Sequence, residues 1–233
     1  MKESQVRTAM LLGEQSVSSL SGKRVAVFGI GGVGSFCAEA LARAGVGYLT
    51  LVDDDTVSES NLNRQLVALR STVGMAKTEV MAQRIADINP DCIVTVLTKR
   101  YTEETKEDFF ALGFDYVADC IDSVACKTSL IETAIQRHIP IISAMGTGNK
   151  LDPSQFVITD LAKTSGCPLA RVMRRELKQR GILHHTVLYS TEQAIKPLFQ
   201  PDDGKAVPGS VAWVPSCAGL MMAGHIIQKL IQE

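Results

Sequence analysis

The chain has 233 residues, of which 45% are hydrophobic and 21% charged, and a formal net charge of -1. That length can bury a substantial core, while near-neutrality excludes a polycation that meets nucleic acid or membrane with its whole surface; any RNA contact must come from a local basic patch. Cys37, Cys92, Cys120, Cys126, Cys167 and Cys217 share no C-x-x-C spacing, which favours buried thiols in a reducing compartment over disulfides or a zinc site.

The first fifteen residues are polar and helix-like, without the charged-then-apolar order of an export signal. The apolar stretch 217–227 is too short to span a bilayer and contains His225. A cytoplasmic enzyme is therefore expected. Residues 4–20 read as a helix leading into the core, with Arg7 on its solvated side.

Residues 25–28 are a short apolar strand pattern, followed at once by Gly29, Gly31 and Gly34 and then by a helical pattern over 35–44. G-x-G-x-x-G between a strand and a helix is the context in which glycines allow a tight turn, a close approach of backbone N–H groups to phosphate, and helix-on-strand packing. Asp53 ends the second strand 19 residues after Gly34, where a carboxylate can meet a ribose. These residues point to a nucleotide site without choosing the nucleotide. Asn61, Arg64, Gln65 and Lys77 follow, and two fixed cations near a phosphate turn suit a triphosphate, Arg forking onto oxygens and Lys acting as a point charge.

Val80, Met81, Ile85 and Ile88 at helical spacing predict a helix after Lys77 that ends at Asn89-Pro90, with its apolar residues in the core. A third strand is expected over 92–97 and an amphipathic helix with a threonine cap over 102–112. Strand four, 116–121, runs into Asp122, which faces the crevice outside the strand ends and can also cap the next helix. Lys127 is expected on that helix's surface. A fifth strand over 139–144 and the turn Gly146-Thr147-Gly148 close the repeating strand–helix units, which require a parallel sheet with right-handed crossovers.

Beyond residue 150 the order changes: a β run at 155–159, a basic helix at 168–180, another β run at 186–189, a loop at 196–210, and an apolar helix from 216 to 231 that serves core or dimer contact. The expected fold is α/β and Rossmann-like, a mostly parallel sheet flanked by helices and extended by antiparallel strands in the C-terminal third. A single domain spans 1–233, with 1–150 as the nucleotide-binding half and 151–233 as the half facing substrate, RNA and the dimer partner. Arg171, Arg174, Arg175, Lys178 and Arg180 make the basic helix the candidate track for an RNA backbone, and His184 and His185 offer rings for stacking on an exposed base.

The pattern D-x-D-x-V-x-x-x-N-L-x-R-Q followed by G-x-x-K, carried here by Asp53, Asp55, Val57, Asn61, Leu62, Arg64, Gln65, Gly74 and Lys77, resembles the ubiquitin-activating-enzyme-like superfamily of ThiF/MoeB type, whose members adenylate carboxylates. The resemblance implies ATP held by Gly29, Gly31, Gly34, Asp53, Asp55, Asn61, Arg64 and Lys77. It assigns the ATP magnesium to Asp122, catalysis to Arg64, Lys77 and Asp122, and a contact across a homodimer to Arg7. The stretch SAMGTGNKLDPSQFVITDLAKTSGCPLARVMRRELKQRG, then YSTE, is similar to the tRNA threonylcarbamoyladenosine dehydratases. It implies a tRNA partner, with ATP activating a threonyl carboxylate that a nitrogen of the same substituent then closes upon. An intramolecular nucleophile needs no enzyme cysteine, and Cys217 reads as a buried thiol at the start of the last helix. Two rival readings are an activator of a ubiquitin-like sulfur-carrier protein, with a sulfur-relay partner, and a nicotinamide-dinucleotide-binding oxidoreductase or sensor.

Overall fold

The computed structural model describes residues 2–200 and 207–232; residues 201–206 of the expected loop lie outside the described residues. Seven strands form one sheet: β1 (Arg24–Phe28), β2 (Tyr48–Val52), β3 (Ile93–Leu97), β4 (Tyr116–Asp119), β5 (Ile141–Ala144), β6 (Phe156–Asp160) and β7 (Thr186–Ser190). Their spatial order is β3-β2-β1-β4-β5-β7-β6, all parallel except the antiparallel pairing of β6 with β7. The inner strands are continuous apolar runs because helices cover both of their faces. The chain reverses its direction of winding between β1 and β4, so the loops after these two strands part and leave a crevice.

The helices are α1 (Val6–Leu12), α2 (Glu14–Leu20), α3 (Gly34–Ala44), α4 (Lys77–Ile88), α5 (Lys106–Phe110), α6 (Val124–Gln136), α7 (Pro168–Gln179) and α8 (Trp213–Leu230). On one face of the sheet α2, α3, α4 and α8 bury Leu20, Leu41, Met81, Ile85, Met222 and Ile226. On the other, α5, α6 and α7 bury Phe109, Phe110, Leu130, Ile131, Met173 and Leu177 against Phe28. Small residues let α3 and α8 approach closely: a Cβ on Gly219 of α8 would lie 2.2 Å from the Val33 carbonyl oxygen. No helix among the described residues is long and apolar enough to cross a membrane.

The expected antiparallel extension of the sheet is present as the β6–β7 pair, which joins the parallel strands through β7 beside β5. Two expectations need correction. The helix expected over 102–112 forms only at Lys106–Phe110, because the Thr102 N–H donates to the Thr105 hydroxyl (3.0 Å) and holds the chain in a turn there. Lys127 is fully buried, with its ammonium 2.7 Å from the equally buried Asp119 carboxylate.

Candidate active site

The loops following β1, β2, β3 and β4 surround a cavity of about 690 Å³ outside the carboxyl ends of the strands. The glycine turn forms its floor. Gly29 has φ +89°, and a Cβ there would sit 2.7 Å from the Cys120 carbonyl oxygen, so the β1 and β4 loops can touch only through glycine. A Cβ on Gly34 would fall 1.7 Å from the Gly29 carbonyl oxygen; this residue lets α3 start hard against the turn, and it does not line the cavity. A Cβ on Gly31 would make only an ordinary contact with the Gln65 amide nitrogen, at 3.8 Å.

Asp53 fastens that turn to β2. One carboxylate oxygen accepts from the Ile30 N–H (2.6 Å) and the other from the Asp55 N–H (2.9 Å). Burial pushes the Asp53 carboxyl above its ordinary range, against the opposing attraction of Lys77. Lys77, at the first position of α4, is nearly buried and donates to Asp55 (2.6 Å), with Asp53 at 4.0 Å. Its ammonium therefore offsets part of the negative charge of Asp53 and Asp55. Asn61 closes the short turn before Arg64 by accepting from the Ser58 N–H (3.1 Å). Arg64 then reaches the cavity from the following loop, its guanidinium held by the Ser60 carbonyl (3.0 Å) and the Asn63 amide oxygen (2.8 Å), with no carboxylate partner among the described residues.

Asp122 is exposed at the opposite wall, and among the described residues no protein donor engages its carboxylate. A free, solvated carboxylate is the donor a partly hydrated magnesium ion takes. The turn that carries it is fixed from below: Asp119 accepts from Lys127 with one oxygen and from the Ile121 N–H (3.1 Å) with the other. Cys120 also lines the cavity, but burial raises its thiol well above the ordinary value, so it stays protonated.

Gly29, Gly31, Asp53, Asp55, Asn61, Arg64, Lys77 and Asp122 thus converge on one cavity. Arg7 does not line it; it is exposed on α1. On the basic helix Arg171, Arg175, Lys178 and Arg180 face solvent, whereas Arg174 turns inward onto the carbonyl and hydroxyl of Thr164. Arg175 pairs with Glu176, and Arg180 with Glu132 of α6. Of the two histidines, His184 is exposed beside Asp160 (2.8 Å). His185 is buried and bonded to the Ser143 hydroxyl (2.8 Å), so the expected stacking surface is His184 alone. Cys217 lies within the second turn of α8, half-buried rather than buried at its start.

Other cavity residues were given no role from sequence. Lys99 and Arg100 follow β3, and the rule that ligands sit outside strand carboxyl ends was the signal for them. Gln65 is buried, and its amide oxygen has no hydrogen-bond partner among the described residues. Thr147 follows β5, Ser210 and Pro215 come from the C-terminal half, and Asn63 ties that side to the loop through the Ser210 carbonyl (3.0 Å).

The ThiF family profile matches residues 3–233. A tRNA threonylcarbamoyladenosine dehydratase of Bacillus subtilis is 45% identical over 97% of this chain and 94% of its own length. The crystal structure of the Escherichia coli tRNA N6-threonylcarbamoyladenosine dehydratase in complex with ATP superposes with a TM-score of 0.90 at 39% identity, covering 98% of this chain and 93% of that one. The sulfur carrier protein ThiS adenylyltransferase of E. coli, 38% identical, covers 55% of this chain and 51% of its own. A cleft of this construction, together with a match that runs the length of the sequence, makes the chain a member of the ThiF family.

Proposed function

We propose that this protein dehydrates threonylcarbamoyladenosine in tRNA at the expense of ATP, by adenylating the threonyl carboxylate. The observation that supports the reading most strongly is the convergence of the glycine turn, Arg64, Lys77 and Asp122 on one cavity, in a chain that matches dehydratases over nearly its full length.

The nucleotide would lie with its ribose at Asp53 and its phosphates over the glycine turn. Carboxylate oxygen attacks the α-phosphorus, and pyrophosphate leaves from its other side. Charge then grows on the bridging and terminal oxygens, where Arg64 offers a fork of donors and Lys77 a compact charge. For Lys77 this means sharing its ammonium between Asp55 and phosphate, which three donor hydrogens allow. Magnesium fits Asp122 and would supply further neutralisation of the phosphate oxygens. In the second step the substituent's nitrogen attacks the acyl carbon, loses its proton, and expels AMP carrying the former carboxylate oxygen; the RNA has lost the elements of water. Positioning and charge stabilisation carry both steps.

The exposed face of α7 would hold the tRNA backbone, with 151–233 as the RNA-facing half in a cytoplasmic enzyme. Met10 and Leu11, 79% and 88% exposed on the same helix as Arg7, support a homodimer in which Arg7 reaches the partner's cleft. The rival substrate, a Gly-Gly-ending sulfur carrier, rests on a relative that matches only about half of the chain. Pyrophosphate release measured with modified tRNA, unmodified tRNA and such a carrier separates the readings. Release with modified tRNA alone is expected; release with the carrier alone overturns the proposal, and release with none reduces the protein to a nucleotide binder.

A further inference from the structure

Beside the nucleotide cavity lies a second one of about 650 Å³, lined by Arg100, Thr102, Glu103, Glu104, Ser123, Ala125, Cys126, Ser129 and Arg180. The two cavities share Arg100, Ser123 and Cys126, so they are chambers of one cleft with a common throat. A volume of this order holds a nucleoside-sized ligand. Arg180, which ends the basic helix, lines only the second chamber.

The throat is built to receive an anion, by two independent features. Arg100 is exposed there, and its guanidinium has no hydrogen-bond or ionic partner among the described residues. The thirteen-residue helix α6 begins at the same place, and the Ser123 side chain does not cap it. Its first-turn N–H groups have no intrahelical acceptors and carry the positive end of the helix dipole. Neither acid of the second chamber pairs with Arg100 among the described residues. Glu103 is engaged by Lys106 and the Ser129 hydroxyl, and Glu104 lies exposed.

We infer that the second chamber is the binding site for the carboxylate-bearing nucleoside of the RNA, with Arg100 at the throat gripping the carboxylate and aiming it at the nucleotide's α-phosphate. The inference rests on the adenylation reading above and adds to it a route: RNA on α7, the modified base passing Arg180, its acid group reaching the throat. ATP and acid then enter from opposite ends of one cleft, the geometry an in-line attack requires.

The test is steady-state pyrophosphate release with modified tRNA for the parent, Arg100→Gln and Arg100→Lys, alongside the Kd of each for a non-hydrolysable ATP analogue and a thermal melt. Removing a charge-assisted hydrogen bond to carboxylate is expected to raise KM for modified tRNA by about 10- to 100-fold in Arg100→Gln, with partial recovery in Arg100→Lys. The melting temperature is expected to match the parent's, and the Kd for the analogue to stay within about twofold of it. An unmoved tRNA KM in an active parent background sinks the inference alone, as does a fall in nucleotide affinity as large as the rise in KM, which would give Arg100 to the phosphates. A parent that releases no pyrophosphate with modified tRNA sinks the adenylation reading and this one with it.

Discussion

Lys77 and Asp122 divide the work of the proposed site differently, and single substitutions should expose the difference. Lys77→Ala removes a cation already in contact with two acids, so both nucleotide affinity and turnover should fall; Asp122→Ala removes a solvated carboxylate with no protein partner among the described residues, and should spare folding while abolishing turnover. Unchanged adenylation in either variant removes that residue from the mechanism. Lys127 belongs beneath the site. Lys127→Met leaves the Asp119 carboxylate buried and unpaired, at a cost of about 3–5 kcal/mol in urea unfolding. The double variant Asp119→Leu with Lys127→Met should regain most of that stability yet not the turnover, because the Ile121 N–H that orients the Asp122 turn then has no acceptor. Buried His185 gives a pH test. Desolvation, aided by the nearby Lys127 charge, lowers its pKa from 6.5 to about 3. Between those values only the unfolded chain binds the proton, so this contribution is complete above pH 6.5 and is lost as pH falls toward 3, at about 1.4 kcal/mol per pH unit. His185→Gln should flatten the acid limb of an unfolding-stability profile by that amount; an unchanged slope would mean the ring is hydrated.

At the scale of elements, the α3–α8 seam and the α7 surface make separate predictions. Gly219→Ala drives a methyl group into the Val33 carbonyl and should cost about 1–3 kcal/mol in thermal or denaturant unfolding, since the two helices must separate to accept it. Arg171→Ala with Lys178→Ala should weaken tRNA binding and reduce the slope of log Kd against log salt by about one for each phosphate that the variant no longer neutralises. A parent whose tRNA affinity ignores salt would dispose of the track. Most elements were legible in the sequence because their signals are local: G-x-G-x-x-G between strand and helix, Asn89-Pro90 after α4, and Pro168 opening α7. What escaped depends on partners distant in space. Nothing in α6 itself says that Lys127 points inward; that follows from an acid eight residues earlier on β4, which the sheet turns toward it. Lys99 and Arg100 carry no local signal of their own; they reach the cavity because β3 pairs with β2, which sets its end on the same side of the cleft as the Asp53 strand end.

For the whole molecule, the sheet order is the fact on which the site depends. Because β4 lies on the other side of β1 from β2, the glycine turn, the Asp53–Lys77 wall and the Asp122 turn face one another, though nearly a hundred residues separate the first of them from the last. The C-terminal half closes the same cleft with Ser210 and Pro215 and adds the basic helix on the side of the second chamber. The chemistry proposed for that cleft makes one demand that no binding measurement can meet: the oxygen of the acid must end on phosphorus. Modified tRNA carrying oxygen-18 in the threonyl carboxylate, turned over with ATP, is predicted to yield one labelled oxygen in AMP for each nucleoside that loses the mass of water. Unlabelled AMP with the label retained in RNA or released to solvent would contradict carboxylate attack on the α-phosphate.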